Sequence, residues 1–177
     1  MPSSPAVIII DLQIAMTNGV QFPPVFDHER ILANTNRMTA WARSSGAPVV
    51  YVRHDGKPGE ALARGEPGWP IHPDIAPLEG EPIFEKTVGD AFAETSLADW
   101  LRERDVDQVI LLGAQSDECV NATCRGALER GFSVTIAADA HTTVDWNGET
   151  AAQIIDRHNR LFAELGARVE TVAGLVA

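Results

Sequence analysis

Two cysteines among 177 residues are too few to form the disulfide framework of a small secreted domain. Basic residues are also scarce, because 14 Lys and Arg stand against 25 Asp and Glu, which gives a formal net charge of −11. Nucleic-acid backbones and anionic membrane surfaces attract clustered positive charge, so we expect neither as a partner. The chain also lacks a run of about 20 apolar residues, the length that a membrane-spanning helix needs.

The first apolar run, Ala6 to Ile10, follows no Lys or Arg and stops at Asp11, which is unlike a signal peptide. We therefore expect a cytoplasmic protein in a reducing compartment. Hydrophobic residues make up 45% of the chain and charged residues 22%, which is ordinary globular composition. The length predicts one domain over residues 1–177.

Short β-branched runs alternate with segments whose apolar residues recur every three or four positions. Strands are predicted at residues 6–10, 48–52, 82–84, 109–112, 134–138 and 168–171. Helices are predicted from Asp27 to Gly46, after Thr95 or Ser96, at 118–130 and at about 149–165. Strands separated by helices imply right-handed crossovers. The predicted fold class is therefore α/β, a three-layer Rossmann-like fold with a mostly parallel six-stranded sheet and helices on both faces.

Ligands of such sheets bind beyond the carboxyl ends of the strands, and three reactive side chains follow predicted strands. Asp11 ends the first strand, Lys86 follows the third, and Cys119 begins the helix after the fourth. A helix N-terminus favours a thiolate, and its free N–H groups could hold an oxyanion. The alternatives are a solvated strand end for Asp11, a surface position for Lys86 and a small buried hydrophobe for Cys119. Cys124 shares an apolar helix face and is expected in the core.

Four segments carry a resemblance to a known family. They are Val7-Ile-Ile-Ile-Asp-Leu-Gln13, Phe84-Glu-Lys86 with Ala91-Phe92 after it, Leu112-Gly-Ala-Gln-Ser-Asp-Glu-Cys-Val120 and Ala137-Ala-Asp-Ala-His141. In this order the chain resembles the isochorismatase-like cysteine hydrolases, which include nicotinamidases, N-carbamoylsarcosine amidohydrolases and ureidoacrylate or biuret amidohydrolases. The resemblance covers nearly the whole chain.

The resemblance implies a catalytic triad of Asp11, Lys86 and Cys119. It also implies a cis peptide bond between Ala114 and Gln115, and an oxyanion hole formed by the backbone N–H groups of Gln115 and Cys119. The implied activity is hydrolysis of a non-peptide, amide-type C–N bond in a small molecule through a thioester. Members of this family commonly form oligomers, so a homodimer or homotetramer is expected.

Nicotinamidases have an Asp-x-His metal motif soon after the second strand, whereas this chain reads Val52-Arg-His-Asp-Gly56. We therefore predict no metal and no other cofactor, and we leave open whether His54 and Asp55 contribute to the site. The residues predicted to line the substrate pocket are Gln13, Trp69, Phe92 and His141.

Three other functions are considered. Within the same fold, the enzyme could cleave a vinyl ether as an isochorismatase does, although a nucleophilic cysteine favours amide hydrolysis. A nucleotide-binding or flavodoxin-like module is disfavoured because no glycine occurs between Asp11 and Thr17 to admit a phosphate. A thiol sensor would oxidise Cys119 and catalyse no turnover.

Overall fold

Six parallel strands form one sheet in the order β3-β2-β1-β4-β5-β6. The strands are β1 (Ala6–Ile10), β2 (Val49–His54), β3 (Ile83–Lys86), β4 (Gln108–Ala114), β5 (Ser133–Thr142) and β6 (Arg168–Glu170). This computed structural model describes residues 4–177, so the first three residues of the expected domain 1–177 lie outside the described residues. The predicted α/β class is confirmed, and the single domain stays a prediction.

Six helices and one 3-10 turn accompany the sheet. They are α1 (Ala15–Asn18), α2 (His28–Ser45), α3 (Leu97–Arg102), α4 (Cys119–Glu129), α5 (Ala151–Glu164), α6 (Val172–Leu175) and the turn Pro73–Ile75. The long connection between β2 and β3 contains only this turn as helical structure, as its prolines and glycines predict.

The sheet is buried on both faces because successive side chains of each strand point in opposite directions. Ile8 and Ile10 of β1 pack in one core with residues of α3, α4 and α5. Val7 and Ile9 pack in the other core with residues of α1, α2 and α6. The helices therefore form a layer on each side of the sheet, as the unbroken apolar runs predict.

The element bounds differ from the predictions mainly at the carboxyl ends of the strands. Both β4 and β5 extend beyond their predicted ends, to Ala114 and Thr142. Lys86 is the last residue of β3 instead of following it. The polar residues at these strand ends pair with neighbouring strands, and an apolar run alone does not reveal that pairing.

Two predicted helix starts are correct in position but use different contacts. Asp27 precedes α2 in a left-handed conformation (φ 50°), and its carboxylate pairs with Arg30 at 2.7 Å instead of capping the helix. At α3 the preceding residue is Ser96, yet the side chain that accepts from the helix N–H of Leu97 belongs to Thr95 (3.3 Å).

The strand order reverses between β1 and β4, and this crevice is where a ligand site is expected. The two strands approach closely at Gly113, where a Cβ atom would lie 2.1 Å from the carbonyl oxygen of Ile10. Gly113 also has φ of 125°, a conformation that side chains disfavour. Only glycine fits at this point, so β4 runs directly beside β1 up to the loop that precedes Cys119.

Candidate active site

Asp11 follows β1 directly and is wholly buried at the crevice. Its backbone adopts φ of 52°, which aspartate tolerates better than most residues. The Oδ2 atom accepts a hydrogen bond from Lys86 Nζ at 2.8 Å. The Oδ1 atom is also buried but has no hydrogen-bond partner in residues 4–177. Burial therefore excludes the solvated strand end, and one carboxylate oxygen is available to receive a proton.

Lys86 holds three groups of the site together. Its Nζ atom lies 2.8 Å from Asp11 Oδ2, 3.2 Å from His54 Nδ1 and 3.3 Å from Cys119 Sγ. Burial disfavours the charged ammonium, but the carboxylate of Asp11 and the hydrogen bonds to Asp11 and Cys119 outweigh burial and raise the pKa of Lys86. Lys86 as a whole residue is only 2% exposed, so the surface alternative for Lys86 is wrong.

Cys119 is the first residue of α4 and is only partly buried. Burial and the carboxylate of Asp11 raise the pKa of the Cys119 thiol to about 12, although the ammonium of Lys86 acts in the opposite direction. In the resting site, burial and Asp11 therefore outweigh any stabilisation of the thiolate by the helix N-terminus. At neutral pH the sulfur is a thiol, so an attack by this sulfur requires a base to remove its proton.

The loop between β4 and α4 presents free backbone donors next to the sulfur. The peptide bond between Ala114 and Gln115 is cis. The N–H groups of Gln115 and Cys119 donate to no carbonyl or side chain of the described chain, whereas the N–H of Ser116 is taken by the carbonyl of Thr142 (2.9 Å). Two unpaired N–H groups beside a nucleophile are the donors that an oxyanion requires.

A cavity of about 320 Å³ opens above these groups. It is lined by Asp11, Met16, Phe22, His54, Leu62, Gln115, Glu118, Cys119 and Val144. The lining thus combines Asp11, Cys119 and Gln115 of the cis peptide with four apolar side chains. A cavity of this size and lining suits a small molecule with one reactive polar group.

The structure brings Asp11, Lys86, Cys119 and Gln115 together, but it places the four predicted pocket residues elsewhere. None of Gln13, Trp69, Phe92 and His141 borders the cavity. Phe92 is a core residue that stacks on Phe132 with ring centroids 5.4 Å apart. Trp69 lies under the guanidinium of Arg53, 3.6 Å from the ring centroid.

Gln13 supports the site through hydrogen bonds to the backbone outside the cavity. It is wholly buried, and its Nε2 donates to the carbonyls of His54 (3.0 Å) and Trp69 (2.8 Å). Its Oε1 accepts from the N–H of His54 at 2.9 Å. Both N–H donors and the oxygen of this amide thus bind backbone groups, which fixes the end of β2 against the long loop.

His141 supports the loop before α4 instead of lining the pocket. Its Nδ1 lies 2.8 Å from Ser116 Oγ and its Nε2 lies 2.8 Å from Asn159 Oδ1. Because the amide oxygen can only accept, Nε2 is the protonated nitrogen and Nδ1 accepts from the serine hydroxyl. Burial lowers the pKa of His141 to about 4. The histidine is therefore neutral at pH 7 and holds Ser116, the neighbour of Gln115.

The cavity residues absent from the predicted pocket set are Met16, Phe22, Leu62, Glu118 and Val144, together with His54, whose contribution the sequence left open. Most of them lie on loops at the carboxyl edge of the sheet. A signal was available for two of them, since Val144 follows β5 closely and His54 ends β2. Phe22 and Leu62 come from loops whose course no periodicity reveals.

Asp11, His54 and Cys119 place three potential metal-ligating atoms within 4.8 Å of one another. The ammonium of Lys86 lies within 3.3 Å of a ligand atom from each of them. A cation at this point would meet the lysine charge at close range, so the donor set fits an ammonium better than a metal ion. The absence of a metal stays a prediction.

Known proteins share the sequence and the fold that carry this site. The isochorismatase domain family matches residues 5–170. This chain belongs to the isochorismatase family. An isochorismatase structure from Pseudomonas putida KT2440 has a TM-score of 0.89 and 30% sequence identity, covering 98% of this chain and 92% of that one.

Two of the curated relatives of this chain have named activities. Streptothricin hydrolase of Streptomyces noursei is 39% identical over 140 residues, which are 79% of this chain and 55% of that protein. N-carbamoylsarcosine amidase of Arthrobacter sp is 31% identical over 166 residues, which cover 81% of this chain and 63% of that protein. The chain thus spans only about half to two thirds of the length of these relatives.

No helix of residues 4–177 is long and apolar enough to cross a membrane. The expected homodimer or homotetramer stays a prediction.

Proposed function

We propose that this isochorismatase-family member hydrolyses an amide-type C–N bond, other than a peptide bond, with Cys119 as nucleophile. One observation carries the proposal: Lys86 Nζ contacts both Cys119 Sγ and Asp11 Oδ2, and the second oxygen of Asp11 has no partner within the described residues 4–177. A buried cation thus contacts both the nucleophile and the base, and the nucleophile and the base line one cavity.

The reaction begins with the thiol form of Cys119, because its pKa is raised to about 12. Asp11 removes the thiol proton as the sulfur attacks the substrate carbonyl, so that a C–S bond forms and the carbonyl oxygen becomes negative. The free N–H groups of Gln115 and Cys119 donate to this oxygen. Lys86 stays protonated and balances the negative charge that passes among Asp11, the sulfur and the oxyanion.

The intermediate collapses when Asp11 returns the proton to the leaving nitrogen. The C–N bond then breaks, the amine departs, and an acyl group remains on Cys119 as a thioester. Water, deprotonated by Asp11, attacks the thioester, and the sulfur leaves with the proton that Asp11 gained. Atoms and charges therefore balance without histidine, metal or cofactor.

One relative supports the class of bond, since N-carbamoylsarcosine amidase is named for cleavage of an amide-type bond. Streptothricin hydrolase is named as a hydrolase of streptothricin, which supports hydrolysis without naming the bond. Both relatives are longer than this chain, and each name describes the activity of the whole longer protein.

The test is turnover on a panel that includes primary amides, carbamoyl compounds, ureido compounds and lactams, with released ammonia or amine as the readout. The wild type and Cys124→Ala should hydrolyse at least one compound, and Cys119→Ala should hydrolyse none. Acid quenching during turnover should trap an adduct on Cys119 that has the mass of the acyl group.

Activity retained by Cys119→Ala would overturn the nucleophile. If isochorismate were cleaved and every amide left intact, vinyl-ether hydrolysis would replace the proposal. Reversible oxidation of Cys119 without turnover of any compound would favour the thiol sensor.

A further inference from the structure

His54 ends β2 and borders the cavity, yet the proposed reaction gives it no part. A lysine ammonium has three N–H donors and no acceptor. In this site each of the three donors of Lys86 has one acceptor, namely Asp11 Oδ2, Cys119 Sγ and His54 Nδ1. Nδ1 of His54 therefore presents its lone pair to the ammonium and holds no proton.

A neutral imidazole with an unprotonated Nδ1 has its proton on Nε2. Burial and the charge of Lys86 lower the pKa of His54, so the ring stays neutral at pH 7. Nε2 has no hydrogen-bond partner in residues 4–177. It is also not one of the buried polar atoms that lack a partner in these residues, so Nε2 is not buried. This N–H is accessible, and His54 lines both the cavity and the adjoining groove that holds Glu60 and Leu62.

The imidazole is also held in place at its backbone. Gln13 donates to the carbonyl of His54 and accepts from its N–H, at 3.0 and 2.9 Å. A donor fixed at both its backbone and its Nδ1 loses little freedom when it binds a ligand, which favours its use in recognition.

We propose that His54 binds the substrate by donating a hydrogen bond from Nε2–H, while its Nδ1 holds the ammonium of Lys86. The substrate would then be an amide with a further oxygen or nitrogen acceptor besides the carbonyl that is attacked. This inference rests on the proposed function for its substrate, but the tautomer of His54 is a property of the free protein.

The tautomer is tested first, on protein labelled with ¹⁵N in histidine. His54→Asn identifies the resonances of His54 by their loss. We expect a protonated Nε2 and an unprotonated Nδ1 at pH 7, with the imidazolium forming only below pH 6.5, the ordinary pKa of histidine. A proton on Nδ1, or an imidazolium at pH 7, would overturn the inference. This result does not depend on whether any amide is hydrolysed.

Two substitutions then separate the two nitrogens on the amide of the panel that the wild type hydrolyses fastest. In His54→Asn the amide oxygen can replace Nδ1 as acceptor for Lys86, but no donor reaches the cavity. In His54→Gln the amide nitrogen can replace Nε2 as donor, but the acceptor for Lys86 is lost. His28→Asn, at the start of α2 and away from the cavity lining, is the matched control.

We expect His54→Asn to raise KM about tenfold or more, and by a larger factor than it lowers kcat, because one hydrogen bond to substrate is lost. His54→Gln should mainly lower kcat, because Lys86 loses an acceptor. Equal losses of kcat in both variants with unchanged KM would show a purely structural role and overturn the inference. If the wild type hydrolyses no amide, the proposed function fails, and the ¹⁵N spectra still decide whether His54 is the expected donor.

Discussion

Lys86 and Asp11 form a buried ion pair, with 2.8 Å between Nζ and Oδ2 and side-chain exposures of 0% and 1%. The two residues are 75 positions apart in the chain and end different strands that are not adjacent in the sheet. Burial of two charges is costly unless they remain paired, so the pair acts as a unit. The contact joins the stability of the fold to the chemistry of the site.

Lys86→Ala should lower both activity and stability. Removal of the ammonium leaves the Asp11 carboxylate buried without its counter-ion, and loss of one partner of a buried pair costs about 3–5 kcal/mol. Urea unfolding should show this loss, and turnover should fall by a factor on the order of 100 or more, as is typical when one group that stabilises transition-state charge is removed. A surface lysine would change stability by less than about 0.5 kcal/mol.

The double variant Asp11→Asn with Lys86→Met is the control for this prediction. It removes both charges with little change of volume, so its unfolding free energy should lie closer to the wild type than that of Lys86→Ala. It should nevertheless have no activity. A double variant as unstable as Lys86→Ala would show that packing, and not the unpaired charge, causes the loss.

Iodoacetamide should alkylate Cys119 before Cys124. Cys119 borders the cavity, whereas Cys124 is 0% exposed and burial raises the pKa of its thiol to about 11. Because the pKa of Cys119 is about 12, its rate should be lower than that of glutathione at pH 7 and should increase about tenfold per pH unit up to pH 9.

Peptide mapping by mass spectrometry gives the order of modification, and activity should fall in step with labelling of Cys119. Cys124→Ala should leave the labelling rate of Cys119 unchanged. Modification of Cys124 first, with activity intact after Cys119 has reacted, would contradict the mechanism.

Stability should decrease as pH falls through the window set by His141. Burial lowers the pKa of His141 to about 4, whereas histidine in the unfolded chain has its ordinary pKa near 6.5. The unfolded state therefore binds a proton first, and the free energy of unfolding decreases between pH 6.5 and pH 4, by at most about 3 kcal/mol from this residue.

Urea titrations at pH 7.0, 5.5 and 4.5 measure this dependence for the wild type and for His141→Gln. The glutamine can still contact Ser116 and Asn159 but does not titrate, so the stability of the variant should change less over this range. Parallel slopes for the two proteins would place the acid sensitivity on other groups.

Dialysis against a chelator should leave kcat and KM unchanged, because the ammonium of Lys86 lies where the ligand atoms of Asp11, His54 and Cys119 converge. Metal analysis of the purified protein should find no stoichiometric transition metal. Activity that is lost on dialysis and restored by zinc or iron would overturn the metal-free site.

The sequence by itself determined the α/β class, because unbroken apolar runs such as Ala6–Ile10 bury both faces of a strand and helical stripes separate the runs. It also placed Asp11, Lys86 and Cys119 after strands and so at one edge of the sheet, since parallel strands end at the same edge. The resemblance to a family then indicated that these residues belong together.

The tertiary structure decided which side chains face the cavity and how they are charged. Gln13 and His141 are polar and close to the site in sequence, but their hydrogen bonds bind them to backbone and to Ser116 instead of to a ligand. The raised pKa of Cys119 depends on burial and on Asp11, which is distant in the chain. Local sequence indicates that Cys119 lies at a helix N-terminus, which favours the thiolate. Only the folded chain brings together the desolvation and the charge of Asp11, which disfavour the thiolate.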